Sequence, residues 1–399
     1  MTEAPETLWR NREFNLLWVS QSLSDIGTAI SGLAVPLLVL ALTGSPVRAG
    51  LIGTAGLVVT VLARLPAGVL ADRFDRRRIM LVCDAARLLR YVILGAMVLA
   101  GRPSLTSIVL VVVLGAVANA FFGTAEHSSL RSIVDTHQLP SAVARNEARS
   151  YGTSLAGPPL GGLLFGVGHA LPFFGNALTF LASMAGVALV RRPLQETRQP
   201  ASTGHLADLA EGLRFVLDNA FLRTIVIVVA PLNLALHGTI FMVIVTLQAG
   251  GVAPGVIGTV ETVIAVGGLL GAVLAPALHR RLGLSLLVRA VCWSAALLLA
   301  MSALVIGTLA AAVPVGLSML LGPATNAALF GHQAAITPDR LQGRVISVII
   351  VLATSVAALA PLLAGILVTA LDPPMAVLTF AAMVAVSALA ATTSRSLRV

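Results

Sequence analysis

The chain has 399 residues, of which 57% are hydrophobic and 11% are charged, and its mean hydropathy is +0.95. A water-soluble core of that length cannot enclose so large an apolar fraction, which excludes a soluble globular protein. The net charge of +9 does not by itself indicate a nucleic-acid partner, because the cytoplasmic loops of membrane proteins are enriched in basic residues.

Apolar runs recur along the whole sequence, each long enough for a helix that crosses about 30 Å of hydrocarbon. They lack the polar and apolar alternation of barrel strands, and a backbone in lipid must satisfy its hydrogen bonds within helices. We therefore predict an all-α polytopic membrane protein. Its twelve predicted transmembrane helices lie at 14–42, 47–70, 79–100, 105–126, 144–168, 171–190, 222–248, 254–278, 285–307, 309–332, 343–369 and 374–392.

The arginines predict the orientation of these helices, since lysine is absent from the sequence. One set of alternating loops holds nearly all of the loop arginines, whereas the opposite loops hold only Arg48 and Arg102. Basic residues mark the cytoplasmic side, so we predict a cell-membrane protein with both termini in the cytoplasm. This explains the basic charge without nucleic acid.

Motifs of catalysis and nucleotide binding are not found in the sequence. The absence of lysine excludes the phosphate-binding loop G-x-x-x-x-G-K-[ST]. No metal-ligand spacing and no G-x-S-x-G elbow is present. We expect neither an enzyme nor a bound cofactor or metal.

The longest loop, 191–219, divides the predicted helices into two groups of six. We place an N-terminal six-helix bundle at 1–190, a cytoplasmic linker at 191–221 and a C-terminal six-helix bundle at 222–399. Within the linker, apolar residues recur at helical spacing from His205 to Leu217. They predict an amphipathic helix at the cytoplasmic interface.

The two groups of helices also share short sequence matches in the same order, at offsets between 202 and 207. Such a repeat predicts two pseudo-symmetric bundles, which is one of the standard plans of transporters. The matched pairs are LADR (70–73) with ALHR (277–280), IVDTHQLPSA (133–142) with AITPDRLQGR (335–344), and GPPLGGLL (157–164) with APLLAGIL (360–367).

The stretch GVLADRFDRRRIM, at 68–80, concentrates charge between the second and third predicted helices. A solvated loop that marks the cytoplasmic side accounts for its arginines. It accounts less well for its acids, because the topology signal needs only basic residues. A carboxylate at Asp72 can pair with a neighbouring arginine or with the positive end of a helix, which would form a polar latch.

At these residues the sequence resembles the signature loop of the major facilitator superfamily. The forms LPAGVLADRFDRRR, REFNLLWVSQSLSDIG (12–27) and GPATNAALFGHQAAITPDRLQGRVISV (322–348) are similar to its macrolide-efflux and enterobactin-exporter branch. The resemblance implies the major facilitator fold and alternating access. It also implies that Asp72 faces the start of the eleventh helix and that the loop is a conformational latch, formed by Gly68, Asp72, Arg73, Arg76 and Arg77.

GPPLGG, at 157–162, resembles the superfamily motif that is associated with exporters. Its small residues allow close helix packing and its proline bends a helix, which would suit a moving interface. Any tightly packed span would accept the same glycines singly, so ordinary packing is the alternative. The residues assigned to this motif are Gly157, Pro158, Gly161 and Gly162.

Two acids fall inside predicted spans, Asp25 in the first and Glu261 in the eighth. Ionisable groups in hydrocarbon are costly and mark ion pathways in many membrane proteins, so both are candidates for proton coupling. A neutral acid that only packs between helices is the alternative, and it is weaker for Glu261, which no nearby loop explains. The Asp84 and Arg87 pair favours a local structural role.

Uncharged polar side chains inside the predicted spans are candidates to line a substrate cavity. Each of them can equally form a hydrogen bond between helices. These candidates are Asn119, Asn233, His237, Asn326 and Gln333.

Taken together, these features predict a secondary active transporter that exports a small hydrophobic or amphipathic compound, driven by protons. Its expected partners are that compound, protons and membrane lipid, and one chain can form a complete path as a monomer. An importer with the same fold is the first alternative. A membrane sensor that transports nothing is the second, and it would need no acids within its spans.

Overall fold

The computed structural model describes residues 8–194 and 205–397. The ordered elements of these residues are helices, as the sequence predicts. Their α-helices are α1 (Arg12–Thr43), α2 (Pro46–Arg73), α3 (Arg76–Leu99), α4 (Leu105–Ile133), α5 (Leu139–Val167), α6 (Leu171–Leu189), α7 (His205–Asp218), α8 (Ala220–Ala249), α9 (Pro254–Arg281), α10 (Leu284–Ala303), α11 (Ala312–Ser318), α12 (Gly322–Ile336), α13 (Gln342–Ala357), α14 (Ala360–Ala370) and α15 (Pro373–Thr393).

Within the described residues, ten segments are long and apolar enough to cross a membrane. They are α1, α2, α4, α6, α8, α9, α10, α15 and the two interrupted segments Leu309–Ile336 and Gln342–Ala370. The other two predicted spans correspond to α3 and α5. Both are long enough to cross a membrane, but the apolar sequence is interrupted by charged residues in α3 and by Gly and Pro in α5. The protein is therefore an all-α multi-pass membrane protein.

The tenth and eleventh predicted spans are present as Leu309–Ile336 and Gln342–Ala370, and each contains a short break in the helix. The first is divided between α11 and α12, and the second between α13 and α14. Both α12 and α14 carry a proline in their first two positions, where a missing N–H costs nothing. By contrast, α5 stays helical through Pro158 and Pro159.

The chain forms two compact units. Unit 1 contains the described residues of Met1–Ala41, Ala55–Ala201 and Ala253–Thr259. Unit 2 contains those of Leu42–Thr54, Ser202–Val252 and Val260–Val399. The first residues of α2 thus cluster with unit 2 and those of α9 with unit 1. The domain boundaries that the sequence suggests, at 190 and 222, remain a prediction.

Each unit has a helix pair that the repeat relates. In unit 1, α3 packs on α6, and Tyr91 stacks on Phe173 and Phe180 with ring centroids 6.2 and 5.9 Å apart. In unit 2, α10 packs on α15. On its other side α15 packs on α8, where the ring of Phe380 is buried against Gly238 and a larger residue would overlap it. Large aromatic side chains and small partners thus fill both interiors.

The predicted linker helix is present as α7, and it packs on the start of α13 in unit 2. A Cβ on Gly212 would lie 3.1 Å from the backbone of Arg344, so the two helices approach closely. Glu211 accepts hydrogen bonds from Arg340, at 2.6 Å, and from Arg344. The helix is therefore fixed to unit 2 by ion pairs.

Candidate functional site

The charge-dense stretch between α2 and α3 forms a tight connection of two residues. Asp75 caps the N-terminus of α3, because its Oδ1 accepts a hydrogen bond from the Arg78 amide at 3.0 Å. This gives one of the two acids in the stretch a local structural role. The side chain of Asp72 lies outside the described residues, so its predicted contact with the start of α13 remains a prediction.

Two of the arginines predicted for the latch bind carbonyl groups inside unit 1. Arg76 donates from Nη1 to the carbonyl of Ser128, at 2.9 Å, and to that of Leu194, at 3.2 Å. Arg77 donates to the carbonyl of Ala188. Both side chains therefore hold the connection against the C-terminal parts of α4 and α6. The carbonyl of Ala188 is one of the last four of α6, which have no partner within their own helix. This arrangement leaves Gly68, Asp72 and Arg73 as the rest of the predicted latch.

Asp25 belongs to a cluster of three charged side chains in unit 1. Arg149 of α5 pairs with Asp25 of α1, Nε to Oδ2 at 3.0 Å, and with Glu126 of α4, Nη2 to Oε1 at 2.8 Å. The side chain of Arg149 is 9% exposed and that of Asp25 is 37% exposed. One buried guanidinium thus faces two carboxylates, and one of these, Asp25, is partly exposed.

The sequence analysis missed both partners of Asp25. Glu126 was at the end of a predicted span, but α4 continues to Ile133. Arg149 was counted with the arginines that mark the cytoplasmic side, although it lies well inside α5. Both α4 and α5 extend beyond their apolar stretches, and these polar extensions were the sequence signal that could have identified Glu126 and Arg149.

A second buried network lies next to this cluster. Arg87 pairs with Asp84 at 3.2 Å and donates from Nη2 to the carbonyl of Ala118, also at 3.2 Å. Ser183 donates to the other carboxylate oxygen of Asp84 at 2.7 Å, and Gln21 donates to Ser183 at 3.1 Å. Gln21 is one helical turn before Asp25 on α1. Both carboxylate oxygens of Asp84 and both terminal nitrogens of Arg87 are therefore hydrogen-bonded, in accord with a structural role.

Glu261, the second acid predicted for proton coupling, lies on α9 in unit 2. It is half-buried and forms no ion pair or hydrogen bond with the residues that the structure describes. It follows Gly258 by three residues, so both lie on one stripe of the helix. A carboxyl group without a counter-ion in a membrane-spanning helix is available to carry a proton.

The GPPLGG residues of α5 contact two different helices. Gly157 and Gly161 pack against Ala29 and Ile30 of α1. Gly162 faces the start of α9, where a Cβ would overlap the carbonyl of Pro254. These three glycines thus lie at backbone contacts that a larger side chain would disrupt.

At two helix crossings, a glycine of one helix lies close to a backbone carbonyl of the other. In unit 1, α5 crosses the start of α9, and a Cβ on Gly258 would overlap the carbonyl of Pro158. In unit 2, α14 crosses the start of α2, where Gly50 and Gly365 face the carbonyls of Pro361 and Pro46 in the same way. In the sequence repeat, Pro158 and Gly162 of α5 correspond to Pro361 and Gly365 of α14.

The second crossing has a hydrogen bond of its own. Because α14 begins after a break in the helix, the amide of Leu362 has no carbonyl partner in its own helix. The hydroxyl oxygen of Thr54, on α2, accepts a hydrogen bond from this amide at 3.1 Å.

Three of the five polar cavity candidates meet in unit 2. Asn233 of α8 and Asn326 and Gln333 of α12 line a cavity of about 160 Å³ with apolar residues of α8, α12 and α13. The other two do not line it: Asn119 is on α4 in unit 1, and His237 is exposed and contacts the carbonyl of Asn233 through Nδ1 at 2.9 Å.

Comparison with known proteins places the chain among transporters. The family described as transmembrane secretion effector matches residues 4–398. The multidrug efflux pump Tap of Mycobacterium tuberculosis (strain ATCC 25618 / H37Rv) is 30% identical over 389 residues, covering 88% of this chain and 85% of that protein. The enterobactin exporter EntS of Salmonella paratyphi A is 27% identical over 206 residues, covering 51% of this chain and 49% of that protein.

Solved structures share the fold at low sequence identity. A bacterial homologue of the human lysosomal transporter Spinster, inward-facing and unoccupied, matches with a TM-score of 0.73 and 15% identity, over 97% of this chain and 98% of that chain. A bacterial homologue of the iron transporter ferroportin, also inward-facing, matches with a TM-score of 0.71 and 19% identity, over 97% and 99%. Both confirm the predicted major facilitator fold.

Proposed function

Because this chain belongs to the transmembrane secretion effector family of the major facilitator superfamily, we propose that it exports small hydrophobic or amphipathic compounds in exchange for protons. Relatives that are named as a multidrug efflux pump and an enterobactin exporter support export. The multi-pass helical fold supports transport by alternating access, in which one site opens to each side in turn.

The cluster of Asp25, Glu126 and Arg149 carries the proton-coupling part of the proposal. Its two carboxylates share one guanidinium, so the ionised cluster has an excess negative charge in a membrane-spanning region. Such charge is costly in hydrocarbon, and a bound proton removes it. Asp25 is exposed enough to exchange that proton, and Glu261 is a second carrier in unit 2.

The latch is the conformational part of the proposal. Since Arg76 and Arg77 bind carbonyls of unit 1, we assign the movable contacts to Gly68, Asp72 and Arg73. Asp72→Ala would then favour the state that is open to the cytoplasm. Equally efficient crosslinking across the cytoplasmic mouth in this variant and in the wild type would contradict the latch.

Dye transport in membrane vesicles tests proton coupling. Nile red, a neutral amphipathic dye, is added outside inverted vesicles that contain the protein, and a pH gradient is imposed. We expect Asp25→Asn and Glu261→Gln to lose gradient-driven transport. Asp372→Asn is the matched control, because this acid caps α15 outside the clusters and its side chain forms no capping hydrogen bond. Full gradient-driven transport by both Asp25→Asn and Glu261→Gln would refute proton coupling through these acids.

The same vesicles determine the direction of transport. An exporter accumulates dye in inverted vesicles and depletes it from right-side-out vesicles when the gradient is inward with respect to the cell. The opposite pattern would show an importer, and no substrate-dependent flux in either orientation would contradict transport.

A further inference from the structure

The buried amide of Gln333 has an unusual hydrogen-bond arrangement. The residue is 1% exposed, and its Nε2 donates to the hydroxyl oxygen of Thr337 at 3.0 Å. The Thr337 hydroxyl uses its single hydrogen in a bond to the backbone carbonyl of Gln333, at 2.7 Å. The Thr337 hydroxyl can therefore only accept a hydrogen bond from the Gln333 side chain. The atom of the side-chain amide that faces Thr337 must be the nitrogen, and the other terminal atom is then the oxygen.

The carbonyl oxygen of the same amide is left without a donor. Oε1 of Gln333 is buried and accepts no hydrogen bond from any described residue. A buried acceptor without a partner destabilises a protein, so its presence calls for an explanation. Gln333 lines the cavity in unit 2, so a ligand bound there would supply the missing donor.

The chemistry of that cavity restricts its ligand. Its polar side chains are three carboxamides and one hydroxyl, and the described lining residues carry no formal charge. Carboxamides donate and accept hydrogen bonds but give no counter-charge to an ion. The remaining walls are aliphatic or aromatic side chains, apart from Thr354, whose hydroxyl donates to the carbonyl of Ile350 at 2.8 Å. An uncharged, partly apolar group fits these walls.

The volume restricts the ligand further. The cavity measures about 160 Å³, close to the ~150 Å³ of an apolar cavity that takes up one benzene molecule. It therefore holds a ring-sized group and not a whole drug-sized molecule, whose pockets measure about 300 Å³ or more. Three stripes of side chains at helical spacing, on α8, α12 and α13, form its walls.

We propose that this cavity, which we call the amide cavity, is a binding subsite for an uncharged ring-sized group with an O–H or N–H donor, and that Gln333 accepts the hydrogen bond from that donor. Phenols and aromatic amides have this chemistry. The inference rests on the proposed export function in one respect, because it assigns a substrate class to that transport. Binding to the cavity itself can be measured without transport.

Binding of two small fluorinated ligands tests the subsite. The full-length protein in lipid nanodiscs is titrated with 4-fluorophenol or with fluorobenzene, and binding is followed by fluorine NMR after subtraction of the signal from empty nanodiscs. We expect 4-fluorophenol to bind more tightly by about three- to tenfold, which corresponds to one neutral hydrogen bond. In Gln333→Met, which keeps the length of the side chain but not its oxygen, this preference disappears.

Two further variants control the experiment. Gln248→Met makes the same substitution at the C-terminal end of α8, outside the cavity, and should keep the preference for 4-fluorophenol. Gln333→Glu places a carboxylate in the cavity and should favour the cation 4-fluorobenzylammonium over 4-fluorophenol. This gain of binding gives a readout that a misfolded Gln333→Met protein could not imitate.

Equal binding of 4-fluorophenol and fluorobenzene to the wild type would overturn the proposal, and so would a preference that survives in Gln333→Met. In the latter case the donor is bound elsewhere, and a trapped water would satisfy Oε1. Because no gradient is applied, these outcomes are distinct from a failure of the proposed export, which only the vesicle experiments detect.

Discussion

The two units share a fold but differ in the polar groups that they bury. Unit 1 encloses two networks built on arginine and acid, around Arg87 and Arg149. The described part of unit 2 encloses hydroxyl and amide groups instead, and its ion pairs lie at the surface around Glu211. Alignment of the two buried cysteines places Ala296 where Arg87 stands in unit 1. A repeat can therefore keep its backbone plan while one half buries pairs of arginine and acid and the other buries mainly hydroxyl and amide groups.

The difference suggests a division of labour. Charges respond to protons and membrane potential, and the fixed hydrogen-bond geometry of amides suits the recognition of neutral groups. On our proposals, unit 1 provides the paired proton-coupling cluster around Arg149, and unit 2 provides the amide cavity together with Glu261, an acid that has no ion pair among the described residues. Four experiments test this difference between the units.

The first experiment removes a buried charge from unit 1. Arg87→Leu leaves Asp84, which is 0% exposed, without its counter-ion. We expect a loss of about 3–5 kcal/mol in the free energy of unfolding, measured in mixed micelles, because an unpaired buried charge remains. The double variant with Asp84→Asn should recover part of this loss. Exposed Arg78→Leu is the control, and an equal effect of both single changes would contradict the structural role of the pair.

The second experiment concerns a feature that both units share. Gly162→Ala and Gly365→Ala each place a Cβ against a backbone carbonyl at one of the two crossings. We expect both to lower the free energy of unfolding by about 1–3 kcal/mol through overpacking. Gly166→Ala is the matched control, since no atom lies within 4 Å of its Cβ position. Unequal effects at Gly162 and Gly365 would show that the crossings are not equivalent.

The third experiment changes the number of acids around Arg149. Glu126→Gln keeps Asp25 but leaves a neutral ion pair, so the excess charge that binds the proton is gone. We expect gradient-driven dye transport to fall by about tenfold or more, which corresponds to at least 1.4 kcal/mol. Exposed Glu147→Gln is the control. Undiminished transport would restrict the coupling site to Asp25 or Glu261.

The fourth and smallest effect concerns the surface ion pairs of unit 2. The hydrogen bond from Arg340 holds the pKa of Glu211 below its usual value of 4.5. The contribution of this carboxylate is therefore complete above pH 4.5 and is lost as the pH falls through the lowered pKa. Hydrogen exchange of α7 should be faster in Glu211→Gln than in the wild type at pH 7, with a difference that shrinks below pH 4.5 and in high salt. A difference that is independent of pH would contradict this account.

The sequence predicts the helices better than their ends and interruptions. Apolar runs define where a helix crosses the membrane, but they do not separate Pro361, at a helix start, from Pro158, inside a continuous helix. The neighbours decide this, because the freed amides need partners from another element. No pattern along one helix identifies a partner such as Thr54.

The candidate site follows the same rule. Asp25 could be identified from the sequence because an acid in an apolar run is rare, and Asn326 and Gln333 because they are polar residues inside predicted spans. Glu126 and Arg149 could not, since their pairing depends on the relative register of α1, α4 and α5. Local patterns reveal which groups are unusual, and only packing reveals which of them meet.

The hydrogen bond between Thr54 and the Leu362 amide gives the α2 crossing one preferred register. A slip of α14 along α2 would leave this amide without a partner in hydrocarbon, which is costly. The corresponding crossing of α5 needs no such bond, because α5 is continuous there. Sliding would break a hydrogen bond at the crossing of α14 and α2, whereas only steric overlap opposes it at the crossing of α5 and α9. We therefore expect α5 to tolerate small displacements that α14 does not.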